Sequence, residues 1–260
     1  MSYRDPSRGY KGVSYGAGAM GILGMFFLLR TCATIASVGS HSVTPATLET
    51  QLLSDPKTGA LFSTIKRTYP AEFETLKQDI ASRSQEGASQ SDLENALFTD
   101  LVQAGQRHRR DILQAPHAPF AAYRQAEIAM VDALRTANPQ ICAQYVSQGS
   151  FRVSHGEALP QSLVIDFRRL TWEADAAGRD QPANRVLTRP SASEWRDISR
   201  RMAANGLGES SIKTFFNPAT VRLAPPVEQC AMGLAFLRAV NDLPGGTGDR
   251  IYAFMASQAR

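Results

Sequence analysis

The sequence predicts an all-α protein: one N-terminal transmembrane helix, then an extracytoplasmic bundle of several helices. Three observations predict it. Apolar residues recur at helical spacing from residue 44 to the C-terminal end. Hydroxyl caps and prolines open these runs, while the alternation that a half-buried strand requires is almost absent. Residues 12–29 form an uncharged, largely apolar stretch behind a cationic tail. At 260 residues, with 43% hydrophobic and 20% charged side chains, the chain can bury a substantial core of its own.

The first element is read from GVSYGAGAMGILGMFFLL, residues 12–29, eighteen positions without a charge. A helix of that length reaches roughly 27 Å, close to the hydrocarbon thickness of a bilayer. Residues 1–11 carry Arg4, Arg8 and Lys11 against Asp5. The positive-inside tendency keeps that tail cytoplasmic and exports the rest of the chain. The expected organisation is therefore a cytoplasmic tail over 1–11 and a signal-anchor over 12–38. Next comes a helical bundle over 44–177, with a C-terminal helical region, 178–260, packing on the same bundle. Arg30 belongs at the far interface, where its side chain can extend to water. This places the chain in a bacterial inner membrane as a single-pass protein with its body in the periplasm, the lipid bilayer being one partner. Two other readings exist for the segment. Ser37 and Gly39 are small enough for signal cleavage before Ser40, and a buried core helix would make the chain cytosolic.

Gly16, Gly18 and Gly21 spell G-x-G-x-x-G within this segment. A dinucleotide site needs a buried strand before that pattern and an acidic residue about twenty positions after it. Residues 12–15 are too short and polar for the strand, and positions 35–45 hold neither Asp nor Glu. Small residues in a membrane helix are the better account.

In the body, Thr44-Pro45 is a cap with proline at the first helical position and opens a helix through Leu53. Gly59–Thr68 is the second, with Leu61, Phe62 and Ile65 on one face. Pro70 starts a third helix, carrying Phe73, Leu76, Lys77 and Ile80. Ser91-Asp92-Leu93-Glu94 reads as a capping box opening a long run through Leu93, Leu97 and Leu101. After Pro116 and Pro119 comes the strongest stripe: Phe120, Tyr123, Ile128, Val131 and Leu134, stopped by Asn138-Pro139. A short helix carries Ile141, Cys142 and Tyr145. Helices are expected again over 160–177, from a second capping box at Ser191–Glu194 through Ala204, over 225–243 and over 249–259. Short strands are allowed only at Gly149–Val153 and Arg185–Thr188.

Charge narrows the partners. The formal net charge of +4 is concentrated in residues 1–40, which contribute +3 and leave 24 basic against 23 acidic side chains in the body. Nucleic-acid binding needs a concentrated positive surface to displace counterions, so no nucleic-acid partner is expected. The densest basic run, Arg107, His108, Arg109 and Arg110, is a candidate contact for an anionic surface, weighed against an ordinary solvated helix face.

Cys142 and Cys230 are the two thiols outside the N-terminal segment. In an oxidising compartment an even pair reads as a disulfide, contributing roughly 4 kcal/mol by constraining the unfolded chain. His41, His108, His117 and His155 are scattered, with no metal-ligand spacing. No G-x-S-x-G elbow presents a serine, and Pro244–Asp249 lacks the lysine of a phosphate loop. No cofactor and no catalytic residue is therefore assigned. The expected role is non-enzymatic binding of another envelope component through a protein partner. The alternatives are a periplasmic cell-wall hydrolase with a buried Glu as general acid and a cytosolic helical protein.

Overall fold

The computed structural model describes residues 43–148 and 161–258; the expected membrane segment, 12–38, and the expected strand at 149–153 lie outside them. Among the described residues there are twelve helices and no strand. They are α1 (Pro45–Ser54), α2 (Gly59–Thr68), α3 (Pro70–Gln85), α4 (Gln90–Ile112), α5 (His117–Ala137) and α6 (Pro139–Gln148). After them come α7 (Gln161–Asp180), α8 (Ala192–Ala204), α9 (Glu209–Phe215), α10 (Pro218–Val221), α11 (Pro226–Asn241) and α12 (Thr247–Gln258). Among the described residues no helix is long and apolar enough to cross a membrane.

The helix starts follow local chemistry. Thr44 caps α1, its hydroxyl accepting from the Thr47 amide, and Pro45 sits where an amide would have no partner. Ser191 and Glu194 form the expected reciprocal box on α8. The box on α4 lies two residues earlier than expected: Ser89 is the cap and Asp92 reaches back to it. Asp92 shares the third helical position with many capping acids, and the shorter side chain suffices.

Two apolar clusters fill the interior, and α7 belongs to both. Its Ile165, Trp172 and Ala176 pack with α1–α4. Its Val164, Phe167 and Ala174 pack with α5, α6, α8, α11 and α12. The helices after residue 178 thus build one core with α5 and α6. Helix α7 lies tight against α4 at Gly178, where a β-carbon would lie 1.9 Å from the Asp111 carbonyl oxygen. Only a residue without a side chain fits there.

The expected strand at 185–188 is instead a strap. Its backbone bonds do not go to a neighbouring extended chain: the Arg185 amide donates to Gln114 Oε1 at 2.6 Å, and Gln114 Nε2 donates back to the Arg185 carbonyl at 3.2 Å. The Arg250 guanidinium holds the Thr188 carbonyl at 2.7 Å. Extended backbone bonded by side chains satisfies the same groups as a sheet without forming one.

This strap brings Arg185 to a buried ion cluster. Asp249 of α12 is 4% exposed. It accepts from Arg124 of α5 at 2.6 Å, from His117 Nδ1 at 2.8 Å and from Arg185 at 3.3 Å. Removing one partner of a buried pair leaves the others uncompensated. Asp249→Ala is expected to cost about 3–5 kcal/mol in urea unfolding. Gly178→Ala, which must push α7 off α4, is expected to cost about 1–3 kcal/mol. Gly208→Ala, in open space, should stay within about 0.5 kcal/mol. A Gly178→Ala variant as stable as the native chain would contradict this packing.

Candidate ligand-binding cleft

Besides the Asp249 cluster, two polar centres stand apart from the ordinary surface ion pairs. The first is interior. Glu127 of α5 is 2% exposed and accepts hydrogen bonds from two tyrosine hydroxyls, Tyr145 of α6 at 2.6 Å and Tyr252 of α12. Tyr123 and Tyr252 share a further hydroxyl bond at 3.0 Å. Burial pushes the Glu127 carboxyl up to about 7, against the hydrogen bonds of the two tyrosines. Both carboxyl oxygens are occupied, so the centre is a satisfied buried network.

The second centre is open. Helices α3 and α4 form an antiparallel hairpin, turned at Gly87 with φ 85°, and a cavity of about 180 Å³ lies between them over the side of α7. Ile65, Leu76, Leu101 and Ala104 supply its apolar wall. Trp172 supplies the floor; it is 3% exposed and packs edge-on against Tyr69 at 5.2 Å between centroids.

The polar groups of the cleft fall at two ends. At one end Asp79 of α3 and Asp100 of α4 lie within hydrogen-bond reach of each other. Arg83 donates to Asp79 at 2.6 Å, whereas Asp100 Oδ2 has no partner among the described residues. Burial, then the Asp79 charge, pushes Asp100 up to about 6, with Arg83 and Arg107 opposing. Two carboxyls this close hold one proton between them more readily than two negative charges. At the other end Glu72 accepts from Arg107 through Nε at 3.3 Å and through Nη2, and from His108 Nε2 at 3.2 Å. Glu72 falls below its usual range; burial raises it, but the bonds from Arg107 and His108 outweigh that.

The basic run expected from the sequence is divided by this arrangement. Arg107 and His108 turn to Glu72, and His108 stacks on Tyr69 at 4.2 Å. Arg110 is exposed, and the Arg109 side chain lies outside the described residues. Cys142 of α6 and Cys230 of α11 are joined in a disulfide, their Cα atoms 5.4 Å apart. Sequence pattern assigns no role to Asp79, Asp100 or Trp172. The helical spacing of Glu72, Thr75 and Asp79 is the signal that could have found the first, since these positions share one face of α3. Among the described residues no group of three or more His, Cys, Asp and Glu is arranged to hold a metal ion. No protein-family model, no curated protein and no solved structure matches the chain.

Both raised carboxyls bind protons more tightly in the folded chain than in the unfolded one. Their stabilisation is complete below the unfolded range of about 4 and is lost as pH rises through 6 for Asp100 and 7 for Glu127. The melting temperature is accordingly expected to fall between about pH 4 and pH 7 in scanning calorimetry. Asp100→Asn should remove the part that ends near 6, and Glu127→Gln the part that extends to about 7. A midpoint that rises with pH, or variants with unchanged profiles, would contradict these assignments.

Proposed function

We propose that this chain is an exported helical binding protein, held in a bacterial inner membrane by residues 12–38 with its body in the periplasm. The observation that carries this reading is the disulfide between Cys142 and Cys230, both 0% exposed in the larger core. Such cross-links persist in oxidising compartments and are rare where thiols are kept reduced. The uncharged stretch behind a cationic tail supplies the route out of the cytoplasm. The near-neutral body suits neither nucleic acid nor another polyanion. Leu223 and Val227, 84% and 58% exposed, leave an apolar corner where α10 leads into α11, and this suits a protein contact in the envelope.

A cell-wall hydrolase is the second reading, and one observation favours it: Glu127 titrates near 7, in the range of a general acid. Two features count against it. Glu127 is sealed behind tyrosine hydroxyls that occupy both its oxygens. The Asp79–Asp100 pair is also closer than the roughly 5–9.5 Å at which carboxyl pairs flank a glycosidic bond. Binding therefore accounts for the site better than turnover does.

A reporter active only outside the cytoplasm, fused after Arg260, is expected to be active. In whole cells Cys142 and Cys230 should resist alkylation until a reductant is added. An inactive reporter, or two thiols that label without reductant, would overturn the reading and favour a cytosolic helical protein. Reducing the purified chain should lower its stability by about 4 kcal/mol, roughly 10 °C in Tm.

A further inference from the structure

We propose that the cleft between α3 and α4 binds a compact zwitterion the size of a single small amino acid. In this arrangement the ligand's ammonium meets the Asp79–Asp100 pair and its carboxylate meets Arg107 and the Trp172 indole N–H. The inference rests on the reading of the chain as a binding protein and names the class of ligand.

Four observations converge on it. The first is the cavity itself. At about 180 Å³ it has room for a ligand on the scale of one amino acid.

The second is the spread of charge along the trough. Glu72 and Asp79 are seven residues apart on one helix face, so the two polar ends are separated by about 10 Å. Asp79 is balanced by Arg83, and Glu72 by Arg107, with His108 hydrogen-bonded beside it. Once Asp100 ionises, its end carries one uncompensated negative charge, the complement of an ammonium.

The third is the unused donor capacity at the other end. A guanidinium has five N–H groups. Glu72 takes bonds through Nε and Nη2 of Arg107, leaving Nη1 without a partner among the described residues. Arg107 is 53% exposed on its side chain and borders the cavity, so this edge is reachable.

The fourth is Trp172. Its ring is almost wholly buried and lines the cavity. Its indole N–H donates to no described residue, yet it is not among the sealed polar atoms. Tryptophan nitrogens in buried positions ordinarily find an acceptor, and a ligand carboxylate is one. A simple cation would leave this donor and the Arg107 Nη1 edge without an acceptor, and a simple anion would leave the carboxyl pair facing a like charge.

Binding is also linked to protons. An ammonium beside the pair favours ionised Asp100, so binding below pH 6 displaces one proton and affinity should fall about tenfold per pH unit there. The test is isothermal titration of the purified full chain in detergent with L-alanine and L-serine, with ethylamine and acetate as half-ligands. One-to-one binding of the amino acids, at least tenfold tighter than either half-ligand and weakening from pH 7 to pH 5, is expected. Asp100→Asn, which keeps the side chain's shape, should weaken binding at least tenfold and abolish the pH dependence. Arg107→Gln should weaken it and, by removing a positive charge that holds the Asp100 carboxyl down, move the pH dependence to higher pH without abolishing it. No heat with either amino acid, acetate binding as tightly as alanine, or full affinity in Asp100→Asn would each overturn the proposal. An active reporter beside a silent titration would remove the ligand class while leaving the exported binding protein standing.

Discussion

The Asp111 carbonyl occupies the space where a side chain on residue 178 would begin, and this contact sets how deeply α7 lies against α4. Depth matters because α7 serves both apolar clusters. Moved outward, its Phe167 and Ala174 would leave the core built with α5, α6 and α11. Its Trp172 would leave the base of the α3–α4 cleft. A single helix thus transmits the packing of one half of the molecule to the floor of the site in the other. Close backbone approach without a β-carbon is what lets two helices share carbonyl-to-backbone contact at that depth.

Buried charge is handled in two opposite ways. Asp249 stays among cations: two guanidinium groups and a histidine nitrogen converge on it from α5 and the 181–191 strap. That arrangement ties three separate stretches of chain to one point. Asp175 receives no such company, and at Glu127 the Arg124 charge is the smallest of the influences set against burial. Burial raises both carboxyls, and for Asp175 the Ile112 amide does not offset it. A protonated carboxyl buried among hydroxyls or apolar groups avoids most of the desolvation cost of an ion. The fold therefore uses ionic contacts to join elements and carboxyls raised by burial to fill interior polar positions.

Much of the helical framework was legible because it is local. Thr44-Pro45, Gly59–Thr68 and the Ser191–Glu194 box lie where the spacing puts them, since caps and stripes act over one or two turns. The long stripe from Phe120 to Leu134 is likewise buried on its predicted face, with Ile128 packed against the core from its edge. Elements whose conformation is fixed from a distance were not legible. The strap at 185–188 looks like a strand because its residues are extended, but Gln114 and Arg250, 71 and 62 residues away, decide what it bonds. Helices α9 and α10 are short, at 7 and 4 residues, and present too little periodicity to read. The cleft was hidden for the same reason. Asp79 and Asp100 belong to different helices, and only the turn at Gly87 brings them together.

That pairing also makes the cleft and the hairpin one object. Two carboxyls from facing helices repel when both ionise, which opposes closure of α3 on α4. A proton relieves the repulsion below pH 6, and a ligand ammonium relieves it above that pH by supplying the missing positive charge. The Arg83 guanidinium hydrogen-bonds Asp79, and at Asp100 its charge is outweighed by burial and the Asp79 charge. What is left is a preference for a cationic group at that end of the trough. The donors of Arg107 and Trp172 that have no partner among the described residues are a matching preference for an acceptor at the other. A molecule carrying both charges on a short frame satisfies the two ends together.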